Sequence, residues 1–432
     1  MSTRTETADV LVIGGGTGGV AAALGAARAG ARVVLVEQEP YVGGTITGSY
    51  VSMPCGGPSN GIYDMMRERL TSRYALPARP VDLNWYLPSS WLVVMNEMLD
   101  EAGVRVIHGL AASVAIIEEG SGYPQVAGAL CPLPGSAEMR LQAAVTIDAT
   151  GSGAFAEAAG CRMRYGTDAR ADFDEPHAPE IGSDFVQHCT LMYVSQKRGD
   201  RPAFDMTRLS CPGVLEGTIG YFHRDREESL RRDAGLYLHW GCSVPCRDTR
   251  DPLALAETQA AAQRRIQPDI EILHANGFMV SIAPRLGVRE VRRTMGEHVI
   301  TENDLRSGIL PEDTVALGKY YLDIWGSATT GSDSHTEREL PVFGIPYRAL
   351  VPKGIDGLLL AGKSISGTHI AMSAYRVQPI LATYSQAAGV AAAWCASKQI
   401  PPRDADTTAL RASLTQPEQG VVLNSADKPR KR

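Results

Sequence analysis

The chain has 432 residues, of which 44% are hydrophobic, 21% charged and 6% aromatic. That length and composition exclude disorder along the whole chain and favour two or three structural units with a sizeable core. Lysine plus arginine number 42 against 48 aspartates plus glutamates, and the net charge of −6 gives no electrostatic footing for a nucleic-acid partner.

Met1 to Asp9 is polar and lacks the charged and apolar regions of a secretory signal, so a cytoplasmic location is expected. The most apolar segments, Val33 to Val36 and Gly389 to Ala396, fall far short of the ~20 residues of a membrane span. The eight cysteines include no CxxC pair and are expected to be buried thiols.

Asp9 to Ile13 reads DVLVI, a strand suited to burial on both faces of a parallel sheet. It runs into the turn Gly14-Gly15-Gly16-Thr17-Gly18-Gly19 and an alanine-rich helix ending at Gly30. Gly14, Gly16 and Gly19 satisfy GxGxxG. The first glycine makes the tight turn, the second lets backbone approach a pyrophosphate, and the third lets helix pack on strand. Arg32 to Val36 is a second strand, and Glu37 at its end is placed, roughly 20 residues on, for ribose hydroxyls. A carboxylate there repels a 2′-phosphate, which leaves FAD and NAD. Gly43, Gly44 and Thr45 are placed to let the chain cross beneath the pyrophosphate.

A helix from Trp91 to Glu101 and a strand from Val104 to Ile107 come next. A small antiparallel meander is expected over Ala112 to Ile117, Gln125 to Leu130 and Met139 to Ala143, with Ala112 counted among the cofactor residues. Val145 to Asp148 is a further buried strand, which leads into the turn at Thr150 and Gly151 and an alanine-rich helix. Residues from about 166 to 340 are more polar, with an aromatic piece at Gly235 to Cys246 and charged helices over Arg224 to Asp233 and Leu253 to Asn276. Gly357 to Gly362 is a final strand and turn, and Ser373 to Ala396 a long small-residue helix. Asn424 to Arg432 is a polar tail.

These segments carry a resemblance. VIGGGTGGVAAA, VVLVEQ, VGGT, TIDATGSG, GVREVRRTMGE, IPYRALVPKGIDGLLLAGKSIS and AYRVQP followed by GVAAA resemble the FAD-dependent oxidoreductases of the glutathione-reductase-like flavoprotein fold, relatives of the fumarate reductase and succinate dehydrogenase flavoproteins. The resemblance runs from residue 9 to about 396. It implies an α/β fold: a Rossmann-like FAD-binding domain of parallel sheet plus meander, with an inserted mixed α/β substrate domain. The FAD domain is expected from 1–52, 91–165 and 341–432, and the substrate or cap domain from 53–90 and 166–340. The resemblance further implies that the segment from Ala361 through Gly362 closes over the pyrophosphate, and that Arg376 to Pro379, including Gln378, meets the flavin ring. The sequence departs from the family at Ser152, where an acidic residue is usual, and at Trp325, where histidine is usual. No acid or base is therefore carried over to position 325.

Two rival motifs are weaker. GLLLAGKS, Gly357 to Ser364, matches the P-loop pattern, but Leu-Leu-Leu-Ala is a buried strand rather than a loop of amides around phosphates. CSVPC, Cys242 to Cys246, is spaced for a redox or metal pair, yet two separate thiols in a loop are the plainer reading. Arg285 to Arg293 concentrates four arginines with Glu290, and Arg289, Arg292 or Arg293 suits a substrate carboxylate, although for any single arginine an Arg-Glu network tying cap to sheet is the plainer reading. His239 and His369 are the acid-base candidates, with Tyr320 and Tyr321 before Asp323 as a weaker proton relay. His239 and His369, together with Arg289 and Arg376, make up the expected catalytic set, with no metal.

The expected function is hydride transfer between a small organic substrate and flavin N5, in the direction of substrate oxidation. C=C reduction, monooxygenation and a non-redox role for FAD stay open. The substrate, the electron acceptor and a homo-oligomeric state are likewise left open.

Overall fold

A computed structural model describes residues 3–74, 85–120, 122–198, 204–211, 213–215, 236–326, 335–337 and 340–424. The charged helix expected at 224–233 and most of the tail at 424–432 lie outside the described residues. Among them no helix is long and apolar enough to cross a membrane.

The main layer is a seven-stranded sheet. Strand β1 (Thr3–Ile13) is followed by helix α1 (Thr17–Arg28) and strand β2 (Val33–Glu37), whose five side chains are all buried. Helices α2 (Gly61–Tyr74) and α3 (Pro88–Glu101) precede β3 (Arg105–His108). Strands β4 (Val114–Glu118), β5 (Gln125–Pro132) and β6 (Glu138–Asp148) complete the first half. The strand order is β3-β2-β1-β6-β5-β4; β1, β2, β3 and β6 are parallel, while β4 and β5 form the antiparallel part.

The sequence suggested separate strands at 139–143 and 145–148, but β6 is one continuous strand. One edge follows β1 from the Thr3–Glu138 pair to the Ile13–Asp148 pair. Its other edge is shared: β5 takes Glu138 to Gln142, and the final strand, Leu358–Leu360, takes Thr146 to Asp148. The chain therefore changes neighbours without breaking the strand.

The inserted region has its own four-stranded antiparallel sheet. Its strands are β7 (Tyr193–Lys197), β8 (Gly213–Leu215), β9 (Leu236–His239) and β10 (Phe278–Ile282), in the order β8-β9-β7-β10. Helix α4 (Pro252–Ala275) matches the helix expected from Leu253 to Asn276. It begins where Asp251 accepts the amide of Leu253 at 2.9 Å, and it buries a stripe of Ala254, Thr258, Ala262, Ile266, Asp269 and Leu273. These elements hold a core separate from that of the main sheet.

After the last strand, β11 (Leu358–Leu360), the expected long helix from Ser373 to Ala396 divides in two. Helix α5 (His369–Tyr375) ends at Arg376, Val377 is extended, and α6 (Gln378–Lys398) restarts with Pro379 in its first turn. Proline lacks an amide hydrogen, which costs nothing in a first turn and breaks the helix behind it. The break is what turns Arg376 and Gln378 toward the site.

Helix α6 is buried nearly all round and crosses α1 at backbone contact. A Cβ on Gly25 would lie 2.6 Å from the carbonyl of Gln386, and one on Gly389 would lie 2.0 Å from that of Ala22. Elsewhere in a helix alanine is favoured over glycine by about 1 kcal/mol. At this crossing the sign reverses: Gly389→Ala should lower the unfolding free energy measured in urea, by about 1–3 kcal/mol. A stabilised variant would disprove the contact.

Candidate active site and cofactor cavity

The carboxyl ends of β1, β2, β6 and β11 and the inserted region enclose one cavity of about 1380 Å³. Typical single-ligand pockets span about 300–1,000 Å³, so a large cofactor and a small substrate fit together.

At the nucleotide end the backbone does the work. Gly14 stands at φ +101°, and a Cβ there would meet the carbonyl of Ala149 at 2.5 Å. Gly16, Thr17 and Gly18 open α1 and line the cavity, whereas Gly19 lies behind it, its would-be Cβ 1.8 Å from the carbonyl of Gly14. Gly43 donates its amide to the carbonyl of Gly15 at 2.7 Å, and Gly44, at φ +54°, would place a Cβ 2.8 Å from Cα of Gly16. The chain thus crosses directly over the glycine turn; Gly44 and Thr45 line the cavity and Gly43 supports them. Glu37 lines it too. Its carboxylate accepts the amides of Gly15 at 2.5 Å and Glu39 at 2.8 Å, which fixes it beside the turn. Ala112, Thr150, Gly151 and Gly362 complete this end.

Asp148, which sequence reasoning passed over, anchors the Thr150 turn. It accepts the amide of Thr150 at 2.9 Å, its hydroxyl at 2.7 Å and the amide of Ala156 at 2.8 Å. Burial raises its pKa, and the bonds from Thr150 oppose that rise.

At the cap end, Arg289, Arg376, Gln378, Tyr320, Tyr321, Asp323 and Trp325 share the cavity wall. Arg376 reaches Asp323 at 3.1 Å and Gln187 at 3.1 Å. Gln378 donates to the carbonyl of Val51 at 2.6 Å. Arg289 donates to the carbonyl of His188 at 2.7 Å and lies 4.1 Å over the Trp325 ring. The Tyr320 hydroxyl donates to that of Tyr321 at 3.2 Å, their rings stack at 4.2 Å, and burial raises both pKa values.

The arginine tract divides between the cavity wall and the packed interior. Arg285 and Arg289 face the cavity, Arg292 pairs with Glu157 at 2.8 Å, and Arg293 is buried between Glu290 and Asp168. Lys363 and Arg285 were not among the expected site residues; Lys363 directly follows Gly362, and that adjacency was the available signal.

Both histidine candidates need correction. His239 is fully buried and does not line the cavity. Its Nδ1 donates to the carbonyl of Cys211 at 2.9 Å, Nε2 meets the Ser195 hydroxyl at 2.8 Å, and the ring stacks on Tyr193 at 4.2 Å. His369 is equally removed: Nδ1 faces Glu290 at 2.8 Å, and its amide donates to Asp168 at 2.8 Å. Core packing consumes both rings. Cys242 and Cys246 are free thiols, and Cys246 pairs instead with Cys189, whose hydrogen bond draws it down to about 6. Among the described residues no cluster fits a metal ion.

A parallel sheet with a glycine turn, a ribose-placed carboxylate and a cationic, phenolic far wall around one cavity defines an enzyme that uses a dinucleotide cofactor. The family described as FAD dependent oxidoreductase matches residues 9–414, and the chain belongs to it. The protein is thus an oxidoreductase and FAD its cofactor, which the glycine cradle and the cavity's size fit. Among solved structures the chain is similar to a geranylgeranyl bacteriochlorophyll reductase-like protein of Thermoplasma acidophilum, at 16% identity and TM-score 0.42, over 95% of this chain and 83% of that one. It is also similar to Thermovibrio ammonificans THI4, at 18% identity and TM-score 0.30, over 41% and 76% of the two chains. A third is the anhydrotetracycline hydroxylase OxyS of Streptomyces rimosus, at 13% identity and TM-score 0.42, over 94% and 65%. None of the curated proteins matches the sequence.

Burial lowers the pKa of His239 from its ordinary 6.5 to about 4. Between those values the unfolded chain binds a proton that the folded one refuses, so stability falls as pH drops from about 6.5 toward 4, by about 3 kcal/mol in all. Urea unfolding of His239→Gln across that window should show a flatter acid limb, with FAD retained at neutral pH. Loss of FAD in this variant would instead place His239 in the site.

Proposed function

We propose that the enzyme transfers hydride between a small organic substrate and flavin N5, in the direction of substrate oxidation. One observation supports this most strongly: a single cavity joins the nucleotide cradle to a wall of Arg289, Arg376, Tyr320 and Tyr321. The domain reading follows the same division, with 1–52, 91–165 and 341–432 holding FAD and 53–90 and 166–340 covering it, in the manner of the glutathione-reductase-like flavoproteins.

Bound FAD supplies the hydride acceptor. Arg289 binds an anionic group of the substrate, its guanidinium oriented by the His188 carbonyl and the Trp325 face. With both histidines in the core, the proton falls to the phenols. Burial and the Asp323 carboxylate keep Tyr321 protonated, against the hydrogen bond it accepts from Tyr320 and the field of Arg376. Tyr321 therefore acts as a relay, its hydroxyl oxygen taking the substrate proton as it passes its own toward the Asp323 carboxylate, and Tyr320 steadies the exchange. Asp323 is held by Arg376 and orients it.

The absorption spectrum of the purified protein, before and after acid precipitation, tests for bound flavin. Anaerobic mixing with carboxylates, amines and alcohols should then bleach the flavin with one class. With that class, Tyr321→Phe should slow flavin reduction roughly 100-fold or more, and Arg289→Gln should raise KM roughly 10- to 100-fold with a smaller effect on kcat. Flavin that resists every compound yet is reduced by a nicotinamide would favour a reductase or monooxygenase.

A further inference from the structure

Among the described residues that line the cavity, Lys363 is a cation with no carboxylate beside it. It follows Gly362 in the short turn Gly362–Ser364 and lines the cavity. Its ammonium donates to the carbonyl of Val288 at 2.9 Å. It stands beside the Thr150–Gly151 turn, where a Cβ on Gly151 would lie 3.7 Å from Nζ. Among the described residues no carboxylate pairs with it. Burial, with Arg285 and Arg376 as charged neighbours, draws it down to about 8, against the opposing influence of the Cys189 thiol. Two of the other cavity cations differ: Arg285 pairs with Glu39 at 3.3 Å and Arg376 with Asp323 at 3.1 Å. A partly buried ammonium with one carbonyl and cationic neighbours is costly unless an anion joins it.

The fold says where that anion lies. Gly362 is pressed against the first turn of α1, since a Cβ on Gly18 would lie 2.8 Å from the Gly362 amide nitrogen, and Ser385 accepts that amide at 3.0 Å. Lys363 is therefore held across the glycine turn, on the side to which the amino end of α1 directs its amides and its dipole.

We propose that Lys363 is the counter-charge of the FAD diphosphate, so that the cofactor completes an ion pair that the protein alone leaves half built. The inference rests on the assignment of this cavity to FAD. It also ties cofactor to cap: the same ammonium holds Val288, the residue before Arg289, so loading FAD steadies the segment that carries the substrate-binding arginine.

The test compares wild type with Lys363→Met, which keeps the length of the side chain and removes its charge, and with Lys363→Arg. Release of FAD from the diluted holoenzyme, followed by the return of free-flavin fluorescence, should show FAD bound roughly 10- to 100-fold more weakly in the Met variant and largely restored in the Arg variant. Riboflavin, which lacks the diphosphate, should bind wild type and Met variant alike. Thermal unfolding supplies a readout that a packing role does not predict. Without FAD the Met variant should melt above wild type, because an uncompensated charge is gone; with FAD the order should invert. Inorganic pyrophosphate should raise the melting temperature of wild type but not of the Met variant, and this arm decides the matter even for a chain that holds no flavin. Equal retention of FAD, equal loss of riboflavin, or a Met variant that melts lower both with and without FAD would each overturn the proposal. A wild-type chain that responds to pyrophosphate but binds no FAD would overturn the FAD assignment and leave the anion site standing.

Discussion

Everything at this site depends on backbone approaching backbone where side chains are missing. Gly19 lets α1 close on the carbonyl of Gly14, Gly18 lets the turn after β11 rest on the start of α1, and Gly25 and Gly389 let α1 and α6 cross within van der Waals reach of each other's main chain. Any Cβ at these points overlaps backbone, which cannot swing aside as a side-chain tip can. Two segments far apart in the sequence are thereby locked into one unit. That unit sets the floor of the cavity, the direction of the amides at the amino end of α1 and the place of Lys363.

A second constraint fastens the inserted region to this floor. Arg293 is almost wholly buried and donates to Gly367 at 3.0 Å, Gly166 at 2.7 Å and Asp168 at 3.1 Å, with Glu290 as a further partner. Asp168 in turn accepts the amide of His369, and Glu290 faces the ring of the same residue. Such a network returns little net stability for the desolvation it demands, but breaking one member strands the others. Its value is positional: it sets the start of α5, and α5 carries Arg376 to the cavity. His369 is thus spent on architecture.

The sequence announced the features that depend on neighbouring residues. Strand, glycine turn and helix over residues 9–29, Glu37 at the end of β2, and the final strand before Gly362 are local patterns, and each stands where its pattern places it. The break at Val377 was legible in principle from Pro379, but the alanine-rich composition on both sides masked it. The fusion of two expected strands into β6 was not legible, because it arises from an exchange of partners along one edge. The histidines misled for a similar reason. Imidazole is equally suited to catalysis and to bridging two buried polar groups, and only the positions of Ser195, Cys211, Glu290 and Asp168 decide between them. Lys363 escaped notice because GLLLAGKS offered a familiar motif that the buried strand then ruled out.

Charge explains why the cavity has two unlike ends. At the nucleotide end, Glu37 is held by the amides of Gly15 and Glu39, so its negative charge is balanced by dipoles and needs no cation. At the cap end, Asp323 offsets Arg376, and Glu39 offsets Arg285 from outside the cavity. Lys363 lies between these balanced pairs. An anion entering there gains from the ammonium and from the amino end of α1 at once, and the low-dielectric walls of the cavity screen both less than open water does. A neutral nucleoside gains from neither. The same arithmetic opposes a second carboxylate beside Glu37 but not one at Arg289, which favours the proposed placing of a substrate anion at the cap end and of the cofactor's at the glycine turn.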